Sequence, residues 1–281
     1  MADDEPRTVT LGDMAVAVDD SGRDGPPILM LHGLTATRRY VVHGSTLLAR
    51  HGYRTVAYDA RGHGDSDPAP DGGYGYDRLA GDAVAVMDAL GIQRAVLMGV
   101  SMGSATALRV AIEHPERVAA LVIVTPAHRG APSGGLDRWD ALADGMERGG
   151  AEGFLDAFGP PRVPERMRDA VVTMLRQRMA RHRHPAAVAA ALRGTPRSAA
   201  FDGVGALAAI DVPTLIVGSR DAADPEHPLA VAEEYARVIP GARLVVEGED
   251  EGPLAWRGGT LSRTVAGFLE DAGLAPPNAK A

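Results

Sequence analysis

The sequence predicts an α/β protein: a mostly parallel, eight-stranded sheet covered by crossover helices, with one helical insertion. Three observations carry this. Short apolar runs alternate with helix-length segments, the rhythm of strand–helix–strand units. A Gly-x-Ser-x-Gly turn joins one run to the segment after it. The rhythm breaks once, where 88 residues (125–212) pass with helical patterns but no convincing strand.

The elements follow in order. Thr8–Leu11 and Ala15–Val18 read as an antiparallel hairpin turning at Gly12-Asp13. Ile28–Leu31, Thr55–Tyr58, Ala95–Val100, Val118–Val124, Pro213–Gly218 and Ala242–Val246 read as buried strands, because they are short, continuously apolar and rich in Val, Ile and Leu. Between them, Asp77–Leu90 places Leu79, Ala83, Val86, Met87 and Leu90 on one helical stripe and ends at Gly91. Segments 102–114, 229–239 and 260–271 have similar patterns, with Pro228 where a first-turn proline belongs.

In 125–212, helical patterns span 136–148, 165–181 and 186–192. A structureless connection of that length is implausible inside a compact domain, so it reads as an inserted helical cap. Residues 1–124 and 213–281 then form the core. The stretch from Arg162 to His184 is rich in arginine, which reads as a solvated face; the alternative is a lid that favours acidic substrates.

Composition removes several classes of function. The 281 residues are 45% hydrophobic and 23% charged, enough for a sizeable core. A net charge of −8 disfavours nucleic acid and anionic membranes as partners. The absence of cysteine excludes disulfides, thiolate metal sites and a cysteine nucleophile. The acidic start MADDEPR lacks the features of a signal peptide and no stretch could span a bilayer, so the expected location is cytoplasmic. No pattern sets the oligomeric state, and a homodimer is the default.

Gly99-Val100-Ser101-Met102-Gly103 lies between a strand and a helix, the context in which this motif holds a serine hydroxyl exposed on a strained turn. His32-Gly33-Leu34 follows the first buried strand, which positions the Leu34 backbone N–H to join that of Met102 in an oxyanion hole. His32 itself and His63 read by default as structural histidines, with His32 kept as a candidate substrate contact.

These features resemble the α/β-hydrolase fold family, because LHGLTATR, YDARGHGDSD, GVSMGS and PTLIVGSRDAADP stand in that family's order and spacing. The resemblance covers about residues 8–271. It implies a catalytic acid at Asp221, with Asp224 in reserve or contacting substrate, and no cofactor or metal. It further implies hydrolysis of a small carboxylic ester or lactone through an acyl-enzyme on Ser101. Serine at the elbow argues against dehalogenase and epoxide hydrolase chemistry, which place a carboxylate there.

The family also places a histidine after the last strand, and here no histidine occurs after His227. A serine hydroxyl needs an adjacent base, so three readings stand. His227 supplies the base from the acid loop, or only caps the helix that follows, with His128 as a weaker nominee for base or substrate contact. Alternatively, Glu249, Asp250 or Glu251 takes the base's place. In the third reading the triad is lost, and the chain is a non-hydrolytic protein that binds a small molecule in the same pocket.

Overall fold

The computed structural model describes residues 7–221, 224, 226–248, 256 and 258–277. Strands β1 (Arg7–Leu11), β2 (Met14–Asp20), β3 (Pro27–Leu31), β4 (Arg54–Tyr58), β5 (Ala95–Val100), β6 (Val118–Val124), β7 (Thr214–Gly218) and β8 (Arg243–Val246) form one sheet. Their order is β1-β2-β4-β3-β5-β6-β7-β8. The β1–β2 and β2–β4 pairs are antiparallel and all others are parallel. This is the mostly parallel, eight-stranded sheet of an α/β-hydrolase fold.

The helices are α1 (Leu47–Arg50), α2 (Tyr76–Ala89), α3 (Met102–Glu113), α4 (Leu136–Phe158), α5 (Glu165–Met179), α6 (Pro185–Gly194), α7 (Leu229–Val238) and α8 (Gly258–Asp271). Strand alternation divides the core between the two faces of the sheet. On β3, Leu29 and Leu31 pack with residues of α2, α3 and α7, while Ile28 and Met30 pack with Leu48 of α1 and Leu261 and Val265 of α8. Central strands covered on both faces must be apolar throughout, as β5 and β6 are.

Between β6 and β7 the chain forms α4, α5 and α6. The first is longer than its sequence pattern implies because it continues past a kink at Gly150 (φ 56°, ψ −134°), a backbone conformation that glycine adopts without steric cost. Leu142 and Met146 of α4, Met179 of α5, and Val188 and Leu192 of α6 close a separate apolar cluster against Leu34. Among the described residues, no helix is long and apolar enough to cross a membrane.

Strand order reverses between β3 and β5, because β3 leads outward to β4 while β5 starts the run in the other direction. Such a switch point leaves a crevice at the carboxyl ends of the two strands. The loop after β3 and the turn after β5 both end there.

Candidate active site

Ser101 follows β5 directly and precedes the first residue of α3, with φ 53° and ψ −111°. A non-glycine residue in that region is strained by about 1–3 kcal/mol, so the surroundings must hold it there. The Ser101 N–H donates to Val124 O at 3.0 Å, and the Ser101 carbonyl accepts from the N–H of Ser104 at 2.9 Å. Ser104 Oγ lies 2.8 Å from Gly99 O and 2.9 Å from Val124 O, tying both sides of the turn together.

Both motif glycines are sterically required. A Cβ on Gly99 would fall 2.2 Å from Gly103 O, and one on Gly103 would fall 2.1 Å from Leu31 O. The helix thus starts pressed against β3. Gly33 also lies beside the serine, where a Cβ would stand in ordinary contact, 3.4 Å from Ser101 Cβ and 3.9 Å from Ser101 Oγ. Gly33 therefore borders the hydroxyl, and Leu34 and Met102 lie on the two segments that flank it.

A histidine reaches Ser101 from β7's side of the crevice. His227 Nε2 lies 2.7 Å from Ser101 Oγ, and His227 Nδ1 lies 2.8 Å from Asp224 Oδ2. Successive turns explain the second contact: Asp224 N–H donates to Asp221 O at 3.1 Å and His227 N–H to Asp224 O at 3.3 Å, so residues three apart share a face. The carboxylate under the ring is therefore Asp224, three residues beyond the expected Asp221. His227 does not cap the following helix either, because Pro228 is the N-cap residue of α7.

Burial raises the Asp224 pKa, but the His227 hydrogen bond and charge, the Glu226 N–H and the Arg178 charge together hold the carboxyl below its ordinary value. With Asp224 ionised, Nδ1 of His227 carries the proton and Nε2 is free to accept one from Ser101.

The other histidine candidates are occupied elsewhere. The His32 ring is buried, Nδ1 donates to Gly33 O at 2.8 Å and Nε2 accepts from Ala60 N–H at 2.9 Å, so both ring nitrogens have backbone partners. The ring that reaches Ser101 is that of His227, and His128 has other partners. It packs edge-on to Tyr76 and Phe201, with Nδ1 accepting from Gly130 N–H at 2.8 Å and Nε2 lying 3.3 Å from Ser198 O. Glu249, Asp250 and Glu251 lie outside the described residues.

Two supports for the site are not among the candidate residues, one of them, Asp59, inside the YDARGHGDSD segment. His182, just beyond α5, donates from Nε2 to Thr35 O at 3.1 Å and accepts at Nδ1 from Gly64 N–H at 2.9 Å. It fastens the insertion to the loops after β3 and β4. The second support is Asp59, buried at the end of β4, which accepts from Arg38 N–H at 2.7 Å and Asp65 N–H at 3.0 Å and pairs with the Arg38 guanidinium. A Cβ on Gly64 would overlap that carboxylate, 2.0 Å from Asp59 Oδ2, so the turn closes only with glycine there.

Comparison with known proteins agrees with this architecture. Residues 26–251 match the alpha/beta hydrolase fold family. The AB hydrolase superfamily protein YisY of Bacillus subtilis is 29% identical over 81% of this chain and 85% of its own. A thermophilic esterase from Thermogutta terrifontis superposes with a TM-score of 0.78 at 26% identity, covering 95% of this chain and 99% of that one. The enol-lactonase from Burkholderia xenovorans LB400 gives 0.74 at 25% identity, over 94% and 100%. Relatives matched at 36% and 38% identity align over only 43% and 37% of their length. With this sheet order, a serine on a strained strand-to-helix turn and a family match across most of its length, the chain belongs to the α/β-hydrolase fold family.

Proposed function

We propose that the protein hydrolyses a small carboxylic ester or lactone through an acyl-enzyme on Ser101. The observation that carries this reading is the continuous path from Ser101 Oγ to His227 Nε2 and from His227 Nδ1 to Asp224, at 2.7 and 2.8 Å. Both distances suit proton transfer without rearrangement. The base and its orienting acid come from one loop, which replaces the histidine that relatives of this fold carry after the last strand.

In the first half-reaction Ser101 Oγ attacks the ester carbonyl carbon while His227 Nε2 takes the hydroxyl proton. The imidazolium is held and stabilised by Asp224, which stays ionised. Negative charge grows on the former carbonyl oxygen, where the N–H groups of Leu34 and Met102 stabilise it; the second is reinforced by the positive end of α3. Collapse breaks the carbon–oxygen bond, and His227 gives its proton to the departing alkoxide. In the second half-reaction a water loses its proton to His227 as it attacks the acyl carbon, and Ser101 leaves with that proton restored. A lactone follows the same steps with its leaving group still attached.

The α4–α6 insertion acts in this reading as the cap over the site, supported by its contacts to Thr35 and Gly64 and by the Arg138–Glu226 ion pair at 3.1 Å beside His227. Hydrolysis of short p-nitrophenyl esters by the wild type, Ser101→Ala and His227→Ala tests the proposal. Turnover by the wild type that falls about 10³-fold or more in each variant is expected. Wild-type rates no higher than background across the ester panel overturn the reading in favour of a binding protein.

A further inference from the structure

Buried arginines in this fold are paired. Arg38 meets Asp59, Asp65 and Asp19, and Arg61 grips Asp82 through two bonds at 2.7 and 2.8 Å. Arg178 of α5 is different. Its side chain is half-buried, its Nε is shielded without a hydrogen-bond partner, and its hydrogen bond among the described residues is to one neutral hydroxyl, Thr35 Oγ1 at 3.1 Å from Nη2. A partly desolvated cation with no carboxylate hydrogen-bonded to it is costly, and guanidinium does not escape that cost by losing its proton.

The location gives the unpaired charge a use. Thr35 is two residues from Gly33, which abuts the Ser101 hydroxyl, and on the other side the Arg178 charge acts on the Asp224 carboxylate. The titratable groups around it are Tyr40, His43, His182 and Asp224. Among these Asp224 is hydrogen-bonded to His227, so the guanidinium has no carboxylate hydrogen-bonded to it among the described residues. A chain of net charge −8 repels anions at long range, so selection of an anionic substrate has to come from a short-range contact of this kind.

We propose that Arg178 is the anion-recognising residue of the Ser101 site, and that the substrate is an ester or lactone whose acyl part carries a second, free carboxylate. The fork would hold that carboxylate through two parallel charge-assisted hydrogen bonds, with Thr35 Oγ1 fixing the guanidinium from the side. The inference rests on the proposed ester chemistry for its substrate class, but the binding site can be tested without turnover.

The test uses the full chain with Ser101→Ala, which prevents hydrolysis, titrated calorimetrically with monoethyl succinate, monoethyl glutarate and the neutral esters ethyl butyrate and ethyl pentanoate. A half-ester should bind about tenfold to a hundredfold more tightly than its neutral counterpart, the range for a hydrogen-bonded charge. Arg178→Met should abolish the preference and Arg178→Lys keep part of it. Equal affinity for half-esters and neutral esters, or a preference that survives in Arg178→Met, overturns the proposal. If Arg178→Met does not fold, the Arg178 Nε–H resonance, assigned by its loss in Arg178→Lys, replaces it. That signal should move on titration with monoethyl glutarate, and an unmoved signal counts against the site. Wild-type turnover of neutral esters without an anion preference defeats this inference alone, whereas selective binding without turnover defeats the proposed reaction alone.

Discussion

Lowering the pH from 7 to 5 should destabilise the fold through three imidazoles packed tilted and edge-on beneath the insertion. His63 lies 5.1 Å from His32 and 5.6 Å from His182, ring centre to ring centre. All three are buried and neutral: His32 and His182 each use one nitrogen as an acceptor from a backbone N–H, and His63 donates from Nδ1 to Arg61 O at 2.9 Å while its Nε2 is buried without a partner for a second proton. Burial pulls His63 down to about 4 and His182 to about 3, with His63 adding repulsion to His182; burial and the charge of His63 hold His32 well below its ordinary value. The unfolded chain takes up these protons near pH 6.5 and the folded chain does not. Stability is therefore complete above about pH 6.5 and declines as the pH falls toward the folded values. His63 and His182 alone give a slope of about 2.7 kcal/mol per pH unit and a loss of about 4 kcal/mol at pH 5, with His32 acting in the same direction. That loss is a large part of the 5–15 kcal/mol typical of a whole domain. Urea unfolding at pH 7, 6, 5.5 and 5 measures the slope, and His182→Gln should reduce it by about 1.4 kcal/mol per unit whatever that variant's own stability. A slope between pH 6 and 5 below about 1.4 kcal/mol per unit, or one unchanged in His182→Gln, refutes the neutral cluster.

Three further outcomes follow from the site and its supports. Gly103→Ala drives a methyl into the Leu31 carbonyl and should cost about 3 kcal/mol or more, whereas Gly267→Ala in α8, with open space at its Cβ, should be neutral or gain up to about 1 kcal/mol; thermal unfolding compares them. Asp224→Asn should lower kcat by about 10³–10⁴-fold by leaving the imidazole in the wrong tautomer, while Asp221→Asn should fall short of that by at least tenfold, read from steady-state kinetics on one ester. Because Arg138 and Glu226 are about half exposed, Arg138→Ala should cost no more than about 1 kcal/mol in urea unfolding, and a larger loss would mean the pair anchors the insertion.

The parts of this architecture legible in the sequence are those that local chemistry determines. The strands are apolar because both faces of the sheet are covered, and their ends fall within a residue or two of the expected limits. Ser101 stands out because glycine is required at 99 and 103 by backbone contacts that any side chain would violate. His227 could be nominated as base because no later histidine exists, but its distance from Ser101 depends on how the loop after β7 winds. That winding also explains the acid: family spacing points to Asp221, yet the two consecutive turns bring Asp224 under the ring. His227 as a helix cap was a reading of Pro228 one position out of phase. The His32–His63–His182 cluster and the inward turn of Arg178 leave no local signal. They join residues over a hundred positions apart, and in a helix with arginines at 166, 168, 176 and 178, only packing against Thr35 distinguishes the one that faces inward from those in solvent.

The claim on which the functional account depends is that His227 activates Ser101, and a fluorophosphonate reporter tests it without knowledge of the substrate. Wild-type protein should label stoichiometrically at Ser101, located by mass spectrometry, with His227→Ala and Asp224→Asn at least a hundredfold slower and Asp221→Asn far less affected. Labelling of His227→Ala at the wild-type rate, or a wild type that resists the reagent, would contradict the account.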